Sequence, residues 1–142
     1  MAAISVILVW LHLMAIALAG ASVFGIPVVG RVMRAAPGDA KPMLMGLARR
    51  LSMLGRGAVL VLIVTGPLLL WAKYGGMADL PVWFHIKLAV VVLLVANVIL
   101  SGINGKRMAR GDSAAAARAP MFGVASIVLL TLTVLLAAMS FA

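Results

Sequence analysis

Apolar residues fall in four long runs, at about 4–29, 57–72, 82–103 and 121–141, with short polar segments between them. Three of these runs reach the roughly 20 residues that a helix needs to cross a bilayer. The second is short on its own, but Pro42 suits a first helical turn. Helix 2 can therefore begin near Pro42, with Arg49, Arg50 and Arg56 projecting beyond the bilayer. Gly66-Pro67 inside this span should kink it. Asp79 ahead of Leu80-Pro81 reads as an N-cap followed by an early helical proline, which opens helix 3. Pro120 marks the start of helix 4 or a bend in it, and the alanine-rich stretch 113–119 reads as a helical turn leading there. The pattern predicts an all-α fold, a transmembrane four-helix bundle formed by one integral membrane domain over 1–142. Residues 2–29 lack a basic segment ahead of them and read as a retained helix, not as a signal peptide.

Composition supports a membrane setting. Charged residues make up 11% of the chain, against about 25% in an ordinary soluble domain, and mean hydropathy is +1.24. Cysteine is absent, which excludes disulfides, thiolate metal sites and thiol chemistry. The net charge of +9 suits a membrane surface better than a nucleic acid, because the basic residues cluster in two segments between apolar runs.

Those clusters predict an orientation. Arg31, Arg34, Lys41, Arg49, Arg50 and Arg56 flank the first connection, and Lys106, Arg107, Arg110 and Arg118 the third; together they are ten of the twelve basic residues. The positive-inside rule then places loops 1 and 3 in the cytoplasm and both termini outside. Trp71, Tyr74 and Trp83 would form an aromatic belt at the outer interface.

Only two histidines occur, His12 and His85, and both fall in apolar runs. An imidazole in hydrocarbon needs a partner, and an ionisable group in a span is a candidate functional residue. At 1.5 Å per residue they lie roughly 12 and 7 Å from the starts of two helices that run the same way. In an up-down bundle those helices are diagonal neighbours, and cofactors in bundles are held by facing side chains. Small residues share their faces: Ala15, Ala19 and Ser22 below His12, and Ala89, Val92 and Ala96 below His85. They either leave room for a flat macrocycle or let helices approach closely. Haem needs only one or two imidazoles and an apolar slot, whereas zinc usually takes three or four ligands. Copper with methionine thioethers, a proton relay and simple packing remain open. Lys87 points to a different face from His85 and either snorkels to the interface or meets a haem propionate. Arg31 reads as an interfacial anchor, Asn97 as a cross-helix hydrogen bonder, and Thr65, Thr131 and Thr133 as bonded to their own helices.

Trp83-Phe84-His85-Ile86-Lys87-Leu88 resembles the W-x-H-x-K-L signature of the HemJ-type protoporphyrinogen oxidase family. Trp10-Leu11-His12 looks like that family's first-helix histidine, Ile26-Pro27 followed by Arg31 like its helix-1 exit, and Ala119-Pro120 like the approach to its last helix. Length and span order also fit, so the resemblance covers most of the chain, and its most specific part is His85–Lys87. It implies a haem b with His12 and His85 as axial ligands, Lys87 and Arg31 as supporting charges, and a link to the six-electron oxidation of protoporphyrinogen in a bacterial inner membrane. The chain departs from the pattern in two places. Ala96-Asn97-Val98-Ile99-Leu100-Ser101-Gly102 stands where the family has Tyr-His and then Cys-Gly, and Arg118-Ala119 where it has Asn-Glu. The missing groups are of the kind that move protons, so the resemblance favours the haem pocket over the catalysis.

The sequence thus points to a multi-pass inner-membrane haem-b redox protein, with a porphyrin or quinone as redox partner and a homo-oligomer or membrane-complex assembly. The competing functions are a non-catalytic subunit of a larger membrane complex and a copper-handling membrane protein.

Overall fold

A computed structural model describes residues 2–75 and 80–141. Among these the chain is all-α, with α1 at Ala2–Ala35, α2 at Lys41–Tyr74, α3 at Val82–Ala109 and α4 at Ser113–Phe141. Each helix is long and apolar enough to cross a membrane. In hydrocarbon a spanning segment must satisfy its own backbone, and a helix does so within one segment. The large side chains of Ile7, Trp10, Leu60, Val64, Val92 and Leu135 are exposed on the outer faces, as suits a lipid environment.

The helices are longer than the apolar runs. α2 starts at Lys41 with Pro42 in its first turn, so it extends well ahead of 57. At about 1.5 Å per residue its 34 residues span roughly 51 Å, more than the ~30 Å hydrocarbon core. Pro67 lies inside it, and the helix continues past that position to Tyr74. α4 begins at Ser113, so Pro120 sits inside the helix and not at its start. Asp79, expected to cap helix 3, lies outside the described residues. The cap position is held by Pro81 in extended backbone, and its carbonyl accepts the Phe84 N–H at 2.9 Å.

Contacts group the chain into two units, Met1–Asp79 and Leu80–Ala142, each a helical hairpin. In the first, α1 faces α2 through Leu8, His12, Ala15, Ala19, Ser22, Ile26 and Val29, a run of alternating steps of four and three. Leu51, Gly55, Ala58, Leu62 and Thr65 answer with the same spacing from α2. A seven-residue repeat of this kind is the seam of a left-handed supercoil. Ala15, Ala19 and Ala58 form its buried centre, with Leu62 packed against them. The Ser22 hydroxyl donates to the Leu51 carbonyl at 2.8 Å, which requires the helices to be close. Gly55 permits this, since a Cβ there would come within 2.8 Å of the Ser22 Cβ.

In the second hairpin, amides perform the corresponding role. Asn97 Nδ2 donates to Ser126 Oγ at 2.8 Å and to the Phe122 carbonyl at 3.1 Å, the cross-helix bonding its mid-span position predicted. Buried Asn104 donates to the Ala115 carbonyl at 2.8 Å. The connection between α3 and α4 is a Schellman motif: Gly111 N–H bonds the Met108 carbonyl and Asp112 N–H the Arg107 carbonyl, at 3.0 and 3.2 Å. This turn needs φ of +89° at Gly111, a conformation that glycine adopts without a steric cost. Asp112 then caps α4, its Oδ1 accepting the Ala115 N–H at 3.1 Å.

Gly55→Ala should destabilise the first hairpin by about 1–3 kcal/mol, the usual cost of forcing extra volume into a packed site. Reversible unfolding in mixed micelles measures this, and adding Ser22→Gly should recover part of the loss. Full stability of the single variant would contradict the close approach. Asn97→Leu should cost about 1 kcal/mol in the same assay.

Candidate functional site

The small-residue stripe of α1 turns His12 toward α2, where the imidazole is half-buried. His12 Nδ1 lies 2.8 Å from Thr65 Oγ1, and Thr65 is itself buried. The Thr65 hydroxyl donates to the Val61 carbonyl at 2.7 Å. A hydroxyl has one proton, and a carbonyl can only accept. Thr65 Oγ1 must therefore accept from His12, which places an imidazole proton on Nδ1. Thr65 and Thr133 were expected to bond their own helices, and both do. The further role of Thr65 as the acceptor for His12 was not anticipated, although a threonine one turn from Val61 on a seam facing a histidine is the signal for it.

The stripe below His12 is closed. Ala15, Ala19 and Ser22 are buried against α2, so on this face small residues serve close helix approach and leave no space for a macrocycle. Gly66 adjoins the ring, where a Cβ would stand 3.8 Å from His12 Cε1.

His85 occupies the first turn of α3 and is exposed. Its Nδ1 lies 3.3 Å from the Pro81 carbonyl. A carbonyl only accepts, so Nδ1 again carries a proton. The same carbonyl accepts the Phe84 N–H, so the imidazole shares an acceptor with the first turn of α3. Ala89, Val92 and Ala96, on the same stripe, are exposed and stay clear of α4. Within its hairpin this small-residue face is open, unlike that of α1.

Lys87 lies on a different face from His85, as expected. Its Nζ stands 5.0 Å from the centre of the Phe84 ring, a cation–π contact one turn apart along α3. Arg31 is exposed near the end of α1. It follows His12 by 19 residues, about 28 Å along the axis, so it is not brought to that imidazole. Trp71, in the last turn of α2, and Trp83, in the first turn of α3, are both exposed. The Tyr74 and Lys73 side chains lie outside the described residues. Among the described residues no group of three or more His, Cys, Asp or Glu side chains is placed to hold a metal ion, so the candidate chemistry is that of single imidazoles.

No protein family, curated protein or solved structure was found to match the chain.

Replacing Thr65 with Val should release the His12 proton from its fixed position. Nitrogen-15 spectra of the imidazoles should report an Nδ1–H tautomer in the parent chain and a shift toward Nε2–H in Thr65→Val. An unchanged spectrum would mean that Thr65 does not set the tautomer.

Proposed function

We propose that this membrane protein binds haem b and transfers electrons, with His12 and His85 as the axial ligands. The supporting observation is that both imidazoles donate through Nδ1, His12 to Thr65 Oγ1 and His85 to the Pro81 carbonyl. Metal-bound histidines almost always donate their other ring N–H in this way, which fixes the ring and raises its basicity. Two imidazoles, each held through Nδ1, are donors that would hold a haem iron. When bound, the haem supplies one-electron redox chemistry between ferric and ferrous iron.

The chain's own residues do the rest. Thr65 and the Pro81 carbonyl hold the two rings, and the open face of Ala89, Val92 and Ala96 offers an apolar wall beneath His85. Lys87 is the nearest cation in sequence to a ligand and can neutralise a propionate. Arg31, being remote from His12, is an anchor at the basic end of α1 and not a pocket residue. The reading stops at electron transfer. Asp39, Asp79 and Asp112 are the only acids in the sequence, and all three lie between the apolar runs. Oxidation of a porphyrinogen would need a proton acceptor from elsewhere. The basic clusters beside loops 1 and 3 support a cytoplasmic position for those loops in a bacterial inner membrane.

Detergent-purified protein, expressed with added haem precursor, should show a b-type pyridine haemochrome. The signal should vanish or shift in both His12→Ala and His85→Ala, and Thr65→Val should weaken haem retention by about 10–100-fold. A folded but colourless parent chain would overturn the reading and leave His12–Thr65 as a packing bond. Since the sequence has no cysteine, single cysteines at Arg34 and at Met77 can be probed with an impermeant thiol reagent in intact cells. Labelling at Met77 and protection at Arg34 is the expected result.

A further inference from the structure

A second feature of the first hairpin is independent of the histidines. An apolar groove runs along the flank of α1 and α2, bordered by Trp10, Met14 and Leu18 on one side and by Arg50, Met53 and Val61 on the other. His12 faces the seam and takes no part in it. Arg50 is the one charged side chain among the described residues that line the groove. It stands at the end nearest the connection to α1, next to Arg49 in the chain.

The dimensions of the groove suit one lipid leaflet. From Arg50 to Val61, α2 rises about 16 Å, close to half of the ~30 Å hydrocarbon thickness. The groove thus runs from a charged end into the apolar part of α2. Gly57 lies in its floor, and a Cβ placed there would meet nothing within 4 Å. Gly57 is therefore not required by packing between the two helices, in contrast to Gly55 in the seam.

We propose that the groove holds one acyl chain of an acidic phospholipid, with the lipid phosphate at Arg50. A guanidinium offers paired donors to phosphate oxygens, and the surrounding positive charge favours a headgroup of net negative charge over a zwitterionic one. The absent side chain at Gly57 leaves the space that the acyl chain fills.

Native mass spectrometry of the full detergent-purified chain tests this, with phosphatidylglycerol and phosphatidylcholine of matched chain length as probes. The parent protein should retain phosphatidylglycerol about fivefold better, the effect of one well-placed basic residue. Arg50→Gln should abolish that preference. Arg34→Gln, which removes an exposed charge of the same sign outside the groove, should leave it intact. Gly57→Phe should fill the groove and lower retention of both lipids severalfold. Equal retention of the two lipids by the parent chain would overturn the proposal. Equal effects of Arg50→Gln and Arg34→Gln would do the same, since they would indicate diffuse surface attraction. So would a neutral isoprenoid or a second copy of the chain being displaced by Gly57→Phe while lipid counts stay constant. Should Gly57→Phe fail to fold, the comparison of the two arginine variants decides alone.

Discussion

Hydrocarbon offers no hydrogen bonds, so each polar side chain within a span has to find its partner inside the protein. The chain meets this constraint within a helix at Thr65 and Thr133 and otherwise with carbonyls and hydroxyls of an adjacent helix. Ser22 reaches the Leu51 carbonyl, Asn97 reaches Phe122 and Ser126, and Asn104 reaches Ala115. Carbonyls lie close to the helix axis, and a short side chain touches one only if the helices nearly meet. Small residues at Ala15, Ala19, Gly55 and Ala58 are what bring them together. Polar pairing and the small-residue seam are one device, and the position of His12 follows from it.

Much of the fold was legible because lipid imposes a simple code. Four apolar runs gave four helices, Pro42 marked the first turn of α2, and Asn97 bonded across helices as its position required. The apolar runs alone are shorter than the helices. Apolarity reports where lipid is, while helices continue into the aqueous boundary for as long as caps allow. Thus α2 extends back to Lys41, and α4 begins at Ser113 because Asp112 caps it. The proline at 120 sits inside α4 for the same reason.

The candidate site was less legible. The two histidines could be singled out by chemistry, and so could Thr65 as a residue bonded to its own helix. That the same hydroxyl fixes the His12 tautomer depends on which face of α2 meets α1, and apolar patterning cannot assign a face when nearly every position is apolar. The stripe below His12 shows the same difficulty. Small residues in sequence fit both a cofactor slot and close helix contact, and only the partner helix distinguishes them. The face of Ala89, Val92 and Ala96, which α4 leaves open, remains compatible with a slot.

The hydrogen bonds between helices described above all join neighbours in the chain: α1 with α2, or α3 with α4. This has a consequence for how the protein enters the membrane. A span carrying Asn97 alone would present a bare amide to lipid until α4 arrives with Ser126 and the Phe122 carbonyl. The turn around Gly111 is short, so the partner follows almost at once. Insertion therefore favours helices entering as pairs, each pair cancelling its own polar burden before the next is made. The order of synthesis is in this sense written into the spacing of the polar residues.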